Sequence, residues 1–257
     1  MPVTESTKET TSKPLQDKIA LVTGGSRGIG AAIASRLARE GATSILTYAK
    51  NKNAAESVVD SITSQGFKAV AIRTDITDLD SIRKLAKEVE ERFGRIDILV
   101  NNAGVWAGGA IEEVSIEQYN EIFDVNVKGL IAATTSVLRL IPEGGRIINI
   151  SSVASTYPMA GVSIYSASKA AIDALTRGWA QDLGERRITV NTLAPGVTET
   201  DMMHQALPVD VQKVMTNKTA LGRIGTGYDI ASVIAFLASD DGGWITGQYI
   251  RADGGIV

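Results

Sequence analysis

Residues 19–30 read I-A-L-V-T-G-G-S-R-G-I-G. An apolar run opens into a glycine-rich turn, and residues with helical periodicity follow. Glycines permit a tight turn and let a phosphate approach the backbone closely. The helix start behind them offers unpaired N–H groups and a positive dipole end. The spacing is Gly24-x-x-x-Gly28-x-Gly30, with Ser26, Arg27 and Ile29 between the glycines. At the end of a first strand, such a loop predicts a dinucleotide site. Taken alone, the stretch leaves a plain strand–helix turn open as the alternative.

The rest of the chain gives that loop its context. Strand-like runs at 19–23, 44–48, 69–74, 96–101, 146–150, 189–193 and 249–251 alternate with helix-like segments at 28–40, 54–65, 79–93, 116–140, 164–184 and 228–238. Regular alternation predicts an α/β fold with a parallel sheet covered on both faces. No linker-like stretch divides the chain, so 18–257 is expected to be one dinucleotide-binding and catalytic domain. Residues 1–17 are rich in Thr, Ser, Lys and Glu, lack a secretory h-region, and are expected to form a flexible tail. The segment 196–223 breaks the alternation and carries Met202, Met203, His204, Pro208 and Met215. Its place after a late strand suits a substrate lid; an ordinary surface helix pair is the alternative.

Composition excludes several chemistries. The 257 residues are 44% hydrophobic, which supports a sizeable core, and no stretch approaches the length of a membrane span. The net charge of −3 argues against a general nucleic-acid surface. There is no cysteine and His204 is the only histidine, so thiol chemistry and multi-histidine metal sites are excluded. The expectation is a cytoplasmic protein with no metal, no nucleic-acid partner and no membrane partner.

The end of the second strand bears on the cofactor. An acid there would bind the adenosine ribose 2′-hydroxyl and repel a 2′-phosphate. The strand ends Thr47-Tyr48-Ala49-Lys50, with no acid, and Arg27 and Lys50 are charge partners for a phosphate. NADP(H) is therefore expected over NAD; solvated surface charges are the alternative.

A second motif suggests the chemistry. Tyr165 and Lys169 lie four residues apart in a helix-like segment, and Ser152 precedes the tyrosine by thirteen. Residues four apart share a helix face. An ammonium beside a phenol favours phenolate, which predicts a lowered tyrosine pKa and proton exchange near neutrality. A serine hydroxyl at a strand end can hold a substrate oxygen beside that phenol.

Further motifs complete a pattern: N-N-A-G at 101–104, N-V-K-G at 126–129, P-G-V-T at 195–198, and Asp75-Ile76 after the third strand. With the glycine loop and the Ser/Tyr/Lys set, in this order, the chain resembles the short-chain dehydrogenase/reductase family, in its compact single-domain branch, over nearly all of 18–255. The resemblance implies a Rossmann-type, doubly wound, seven-stranded parallel sheet of order 3-2-1-4-5-6-7. It implies that Tyr165 protonates a carbonyl oxygen, Lys169 holds the nicotinamide ribose and Ser152 orients the substrate. Asn126 would hold a water in a proton relay to Lys169, or else be a buried asparagine satisfying backbone. Gly24 to Gly30 and Tyr48 would border the cofactor, Asp75 and Ile76 the adenine. Asn102, Ala103 and Gly104 would lie along it, although Asn102 could equally tie its loop to neighbouring strands. Pro195, Gly196, Val197 and Thr198 would follow, with Thr198 on the carboxamide. The family also implies a homotetramer, with a dimer as the alternative.

The substrate is expected to be a small carbonyl or alcohol. Trp106, Ala154, Tyr157, Met159, Met202 and Met203 are the candidate pocket. Their apolar character favours a carbonyl (ketone) reductase, reversible as an alcohol dehydrogenase. A 3-oxoacyl-carrier-protein reductase is the alternative; Gln181 and Asp182, at a position often basic in those enzymes, count against it. A sugar or polyol dehydrogenase and a non-enzymatic NADPH sensor complete the readings.

Overall fold

The computed structural model describes residues 13–256. In chain order the elements are β1 (Ile19–Val22), α1 (Gly28–Arg39), β2 (Thr43–Tyr48), α2 (Lys52–Thr63), β3 (Lys68–Arg73), α3 (Leu79–Phe93) and β4 (Ile98–Asn101). There follow α4 (Ile116–Phe123), α5 (Leu130–Val137), β5 (Arg146–Ile150), α6 (Ser163–Asp182), β6 (Thr189–Pro195), α7 (Asp201–Ala206), α8 (Val209–Lys218), α9 (Gly227–Ala238) and β7 (Tyr249–Ala252). The seven strands form one parallel sheet of order β3-β2-β1-β4-β5-β6-β7. The expected fold is the observed one.

The strands are apolar on both sides because the sheet is covered on both sides. Ala20 and Val22 of β1, Ile98 and Val100 of β4, and Ile148 and Ile150 of β5 face α1 and α9. The alternate residues Leu21, Leu99 and Ile147 face α3, α5 and α6. This is the period-2 reading of a doubly buried strand. Between β4, β5 and β6 the core also carries a polar seam. Asn101 Nδ2 donates to Thr134 Oγ1 (2.9 Å) and to Asn149 Oδ1 (2.8 Å). Asn149 in turn donates to Thr176 Oγ1 (2.9 Å), which also bonds Thr192 (2.7 Å). Neutral partners inside the core bond one another, with Asn101 Oδ1 alone of the seam left unpartnered among the described residues, and fix α5 and α6 against the strands.

Local signals account for the helix starts. Asn51, Asp78, Ser115 and Thr200 each accept a backbone N–H at the N-caps of α2, α3, α4 and α7. Thr226 and Asp229 form a capping box on α9.

Two expectations change. The segment 116–140, read as one helix, is broken: a π-helical turn, Asp124–Gly129, separates α4 from α5, and a 3-10 turn, Leu138–Leu140, follows. The side chain of Asn126 in that turn bonds the backbone of the preceding loop, a local demand that helical periodicity does not register. The segment 196–223 holds two short helices, α7 and α8, the helix pair that stood beside the lid reading. The tail boundary at 17 also moves: Leu15 is only 1% exposed, packs in the core with α1, and its N–H donates to Glu40 O (2.9 Å). The remainder of the expected tail, 1–12, lies outside the described residues.

Candidate active site

All seven strands point their carboxyl ends to one edge of the sheet, and the strand order reverses between β1 and β4. A crevice at such a reversal is where open α/β sheets bind ligands. The glycine loop leaves β1 there. Gly24 has a φ of +66°, and a Cβ on it would come within 2.9 Å of Ala103 Cα. A Cβ on Gly30 would collide with the Gly24 carbonyl and the Asn102 amide. Both positions therefore demand glycine. Arg27, at the N-cap of α1, places no side-chain acceptor on the first turn. The free N–H groups there attract an anion.

Asn102 does the tying that the sequence left open. Its Nδ2 donates to Thr23 O and Gly24 O, both at 2.9 Å. The Thr23 hydroxyl accepts from the N–H groups of Asn102 (3.0 Å) and Ala103 (3.1 Å). The β1 and β4 loops are thus one unit. Gly104 follows, where a Cβ would lie 3.3 Å from Asn126 Oδ1 and 3.5 Å from Lys169 Nζ.

Around the second and third strands, Lys50 is exposed and Tyr48 half-buried. Asp75 Oδ1 accepts from Thr77 Oγ1 (2.7 Å) and Thr77 N (3.0 Å). These bonds, with Lys50 and Arg73 nearby, hold the Asp75 carboxyl below its ordinary range against the opposing effect of burial. Ile76 is half-buried against Gly129. Arg27 reaches across to Asp201 of α7 at 3.6 Å. Pro195 ends β6; after Gly196 and Val197, buried Thr198 donates to Gly196 O (3.0 Å).

Helix α6 carries the second motif. Its buried stripe includes Ser168, Lys169, Ile172, Asp173 and Thr176, polar where an ordinary amphipathic helix is apolar. Lys169 is 4% exposed; its Nζ donates to Ile150 O (2.9 Å) and lies 5.7 Å from the Tyr165 ring centre. Burial lowers its pKa to about 8, with Asp173 pulling the other way. Ser152 caps a short turn, its Oγ accepting from Ala154 N (3.2 Å), and its hydroxyl is beside the Tyr165 phenol. The structure thus brings Ser152, Tyr165 and Lys169 together at the end of β5.

The expected lowering of the Tyr165 pKa is corrected. Burial pushes the phenol up, and only the hydrogen bond with Ser152 opposes this. The buried ammonium is directed at a carbonyl, so in the free chain desolvation outweighs charge attraction. Asn126, fully buried, accepts from Val105 N (2.8 Å) and donates to Val105 O (3.0 Å) and Ser168 Oγ (3.1 Å). Ser168 in turn donates to Tyr165 O (2.7 Å). The backbone-satisfying alternative describes this side chain.

The candidate pocket residues divide. Trp106 stands against Gly108, and Ala154 is half-buried in the turn after Ser152. Tyr157 and Met159 are exposed, with Tyr157 stacked on Arg251 at 4.8 Å. Met202 is exposed but its neighbour Met203 is 7% exposed. Adjacent helical residues point about 100° apart, so the two methionines do not share a face. Thr23, Ser168 and Asp173 were not singled out from the sequence; for the latter two the one available signal was the run of polar residues on the buried face of α6.

A family model described as enoyl-(acyl carrier protein) reductase matches residues 24–257. The chain belongs to the short-chain dehydrogenase/reductase family. The chain is similar to a dehydrogenase/reductase from Sinorhizobium meliloti, with 45% identity and a TM-score of 0.90 over 95% of this chain and 96% of that one. A versicolorin reductase of Emericella nidulans is 40% identical, covering 94% of this chain and 96% of its own. A short-chain dehydrogenase of Burkholderia cenocepacia, solved in complex with NADP, is 42% identical with a TM-score of 0.88, covering 94% and 98%. Among the described residues no cluster of acids and histidine has the arrangement of a metal site, and no helix is long and apolar enough to cross a membrane.

The Lys169 environment gives a test in the cofactor-free protein. Its native pKa of about 8 lies below the ordinary 10.5, so the native state binds fewer protons than the unfolded state between those values. Stability gained from Lys169 therefore rises with pH across that window. Raising the pH from 8 to 10 should stabilise wild type relative to Lys169→Met, read as the difference in urea midpoint between the two proteins.

Proposed function

We propose that the chain is an NADPH-dependent carbonyl reductase for small apolar ketones, reversible as an alcohol dehydrogenase and working in the cytoplasm. The observation that carries the reading is the meeting of Ser152, Tyr165 and Lys169 at the carboxyl edge of β5, opposite the glycine loop. The uncapped start of α1 and the cradle at Gly24 and Gly30 fit a pyrophosphate. When bound, the dinucleotide supplies hydride to the carbonyl carbon.

The chain's own groups handle the oxygen. Ser152 Oγ accepts from Ala154 N, so its proton serves the Tyr165 phenol oxygen in the free chain and would turn to the substrate oxygen when one is bound. Tyr165, its pKa raised by burial, holds its proton at neutral pH and delivers it as negative charge develops. Lys169 then stabilises the phenolate, and would hold the ribose hydroxyls of a bound dinucleotide. Asn126 holds the loop after β4 against α6; a relay water on it would use the remaining lone pair of Oδ1. Segment 196–223 acts as the lid, with Met202 as its exposed apolar contact and Met203 as its anchor.

Tyr165→Phe is expected to abolish ketone reduction while retaining NADPH binding, followed by the enhanced fluorescence of the bound cofactor. Near-normal turnover would sink the proton-donor assignment. The same assay run on wild type with aryl ketones, ketoesters, diketones, keto-sugars, an acetoacetyl thioester and an enoyl thioester separates the substrate readings. Preference for a thioester would move the chain to acyl-carrier chemistry, and binding without turnover would favour a sensor.

The cofactor choice rests on the missing acid at 47–50 and on Lys50 and Arg27 at the open edge; the Burkholderia relative solved with NADP supports it. Lys50→Ala or Arg27→Ala should raise the KM for NADPH about tenfold while sparing NADH, the scale of one charged hydrogen bond. Equal losses for both cofactors would count against 2′-phosphate recognition.

A homotetramer is supported by an open apolar groove between the π-helical turn, α5 and α6, lined by Val127, Ile131, Leu175 and Trp179. Trp244, 99% exposed before β7, supports a second contact. Nothing lies within 4 Å of a Cβ at Gly178 on the groove wall. Gly178→Glu should therefore fold yet reduce the assembly size in light scattering; an unchanged mass would remove this face from the interface.

A further inference from the structure

We propose that Asp173 and Tyr249 are positioning residues for Ser152: from the α6 side and from β7 they hold the 151–156 loop that aims the serine hydroxyl. The proposal rests on the reading of Ser152 as the group that orients the substrate oxygen.

Asp173 is the observation that asks for an explanation. It is 6% exposed, and its Oδ1 has no hydrogen-bond partner among the described residues. One turn further along α6, Thr176 fills the same stripe and satisfies the polar seam as a neutral group. Packing alone therefore does not call for a carboxylate here, and a buried one is costly. What surrounds it is the serine loop. The hydroxyls of Ser151 and Ser155 lie beside the carboxylate and oppose the rise in its pKa that burial causes; Lys169 and Arg177, on the same helix, act in the same direction as the serines. Ser151 Oγ also donates to Lys169 O (3.2 Å), which ties the start of the loop to α6. Ser151 and Ser155 flank Ser152 and its short turn, so the carboxylate lies beside both ends of the loop.

Tyr249 closes the other side. Its hydroxyl donates to Ser152 O (3.4 Å), accepts from Ser155 Oγ (3.4 Å) and meets Thr156 Oγ1 (3.0 Å). One donor and two acceptor sites are all that a phenol offers in such a cluster. Lys169 meanwhile holds Ile150 O, immediately before the loop. The backbone of Ser152 is thus gripped from α6 and from the last strand, while its side chain is left to the substrate. These contacts are long, which suits a loop whose geometry tightens when ligand arrives.

The test compares Asp173→Ala, Asp173→Asn and Tyr249→Phe with wild type in two assays. In ketone reduction, Asp173→Ala is expected to lose kcat by about ten- to hundredfold, the scale of a misplaced reacting group, with the KM for NADPH unchanged. Asp173→Asn, which keeps one acceptor oxygen, should recover part of the loss, and Tyr249→Phe should lose kcat without changing that KM. In the cofactor-free proteins, hydrogen–deuterium exchange should quicken in the 151–157 segment and stay at the wild-type rate in β1 and α1. Unchanged kcat in Asp173→Ala and Tyr249→Phe overturns the proposal, as does exchange that rises equally through the whole sheet. Local quickening in a protein whose wild type reduces no ketone would leave the loop grip standing and reject the carbonyl-reductase reading instead.

Discussion

The hydrogen bond from Lys169 Nζ to Ile150 O is the contact on which the arrangement of the candidate site depends. It joins the middle of α6 to the last residue of β5 inside a space that excludes water. A buried ammonium is costly, and its pKa falls to about 8 as a result. The cost is offset only while the carbonyl, the nearby Asp173 and the tyrosine ring stay in place. Because α6 is rigid, fixing Lys169 also fixes Tyr165 one turn earlier, at the mouth of the crevice.

Two polar assemblies keep that crevice in shape. The first joins the β1 and β4 loops through Thr23 and Asn102, so the glycine cradle does not move independently of the loop leading to Gly104. The second joins the loop after β4 to α6 through Asn126 and Ser168, ending on the carbonyl of Tyr165. Together they connect the glycine-loop side of the cleft to the side that carries Ser152, Tyr165 and Lys169 by short side chains with few rotamers. Such a site is organised before ligand arrives, which is how a protein lowers the cost of binding and of aligning reacting atoms. The outer rim of the cleft is different in kind. Tyr157, Met159 and Met202 are exposed, and the helices that carry Met202 and Met203 are short.

The parallel sheet was legible because its strands are doubly buried and its connections are helical, and both leave patterns in sequence. The glycine loop was legible because steric demand at Gly24 and Gly30 admits no other residue. Tyr165 and Lys169 were legible from their spacing. The break at 124–129 was not, because Asn126 is recruited by Val105, a neighbour brought near only by the fold. Leu15 was read with the tail because a single apolar residue in a polar stretch has no periodicity to report its burial.

By itself the sequence determined the α/β class, the place of the glycine loop and the residue types of the Ser152, Tyr165 and Lys169 cluster, since all of these follow from local sterics and short-range spacing. Tertiary structure alone decided the electrostatics. Whether the phenol at 165 is lowered by an ammonium or raised by burial depends on where Lys169 points and how much water remains, and the observed direction is upward. It also decided the surroundings of Asp173, whose neighbours Ser151 and Ser155 come from another element. Desolvation and contacts across the sheet are properties of the folded volume, and no stretch of chain carries them in advance.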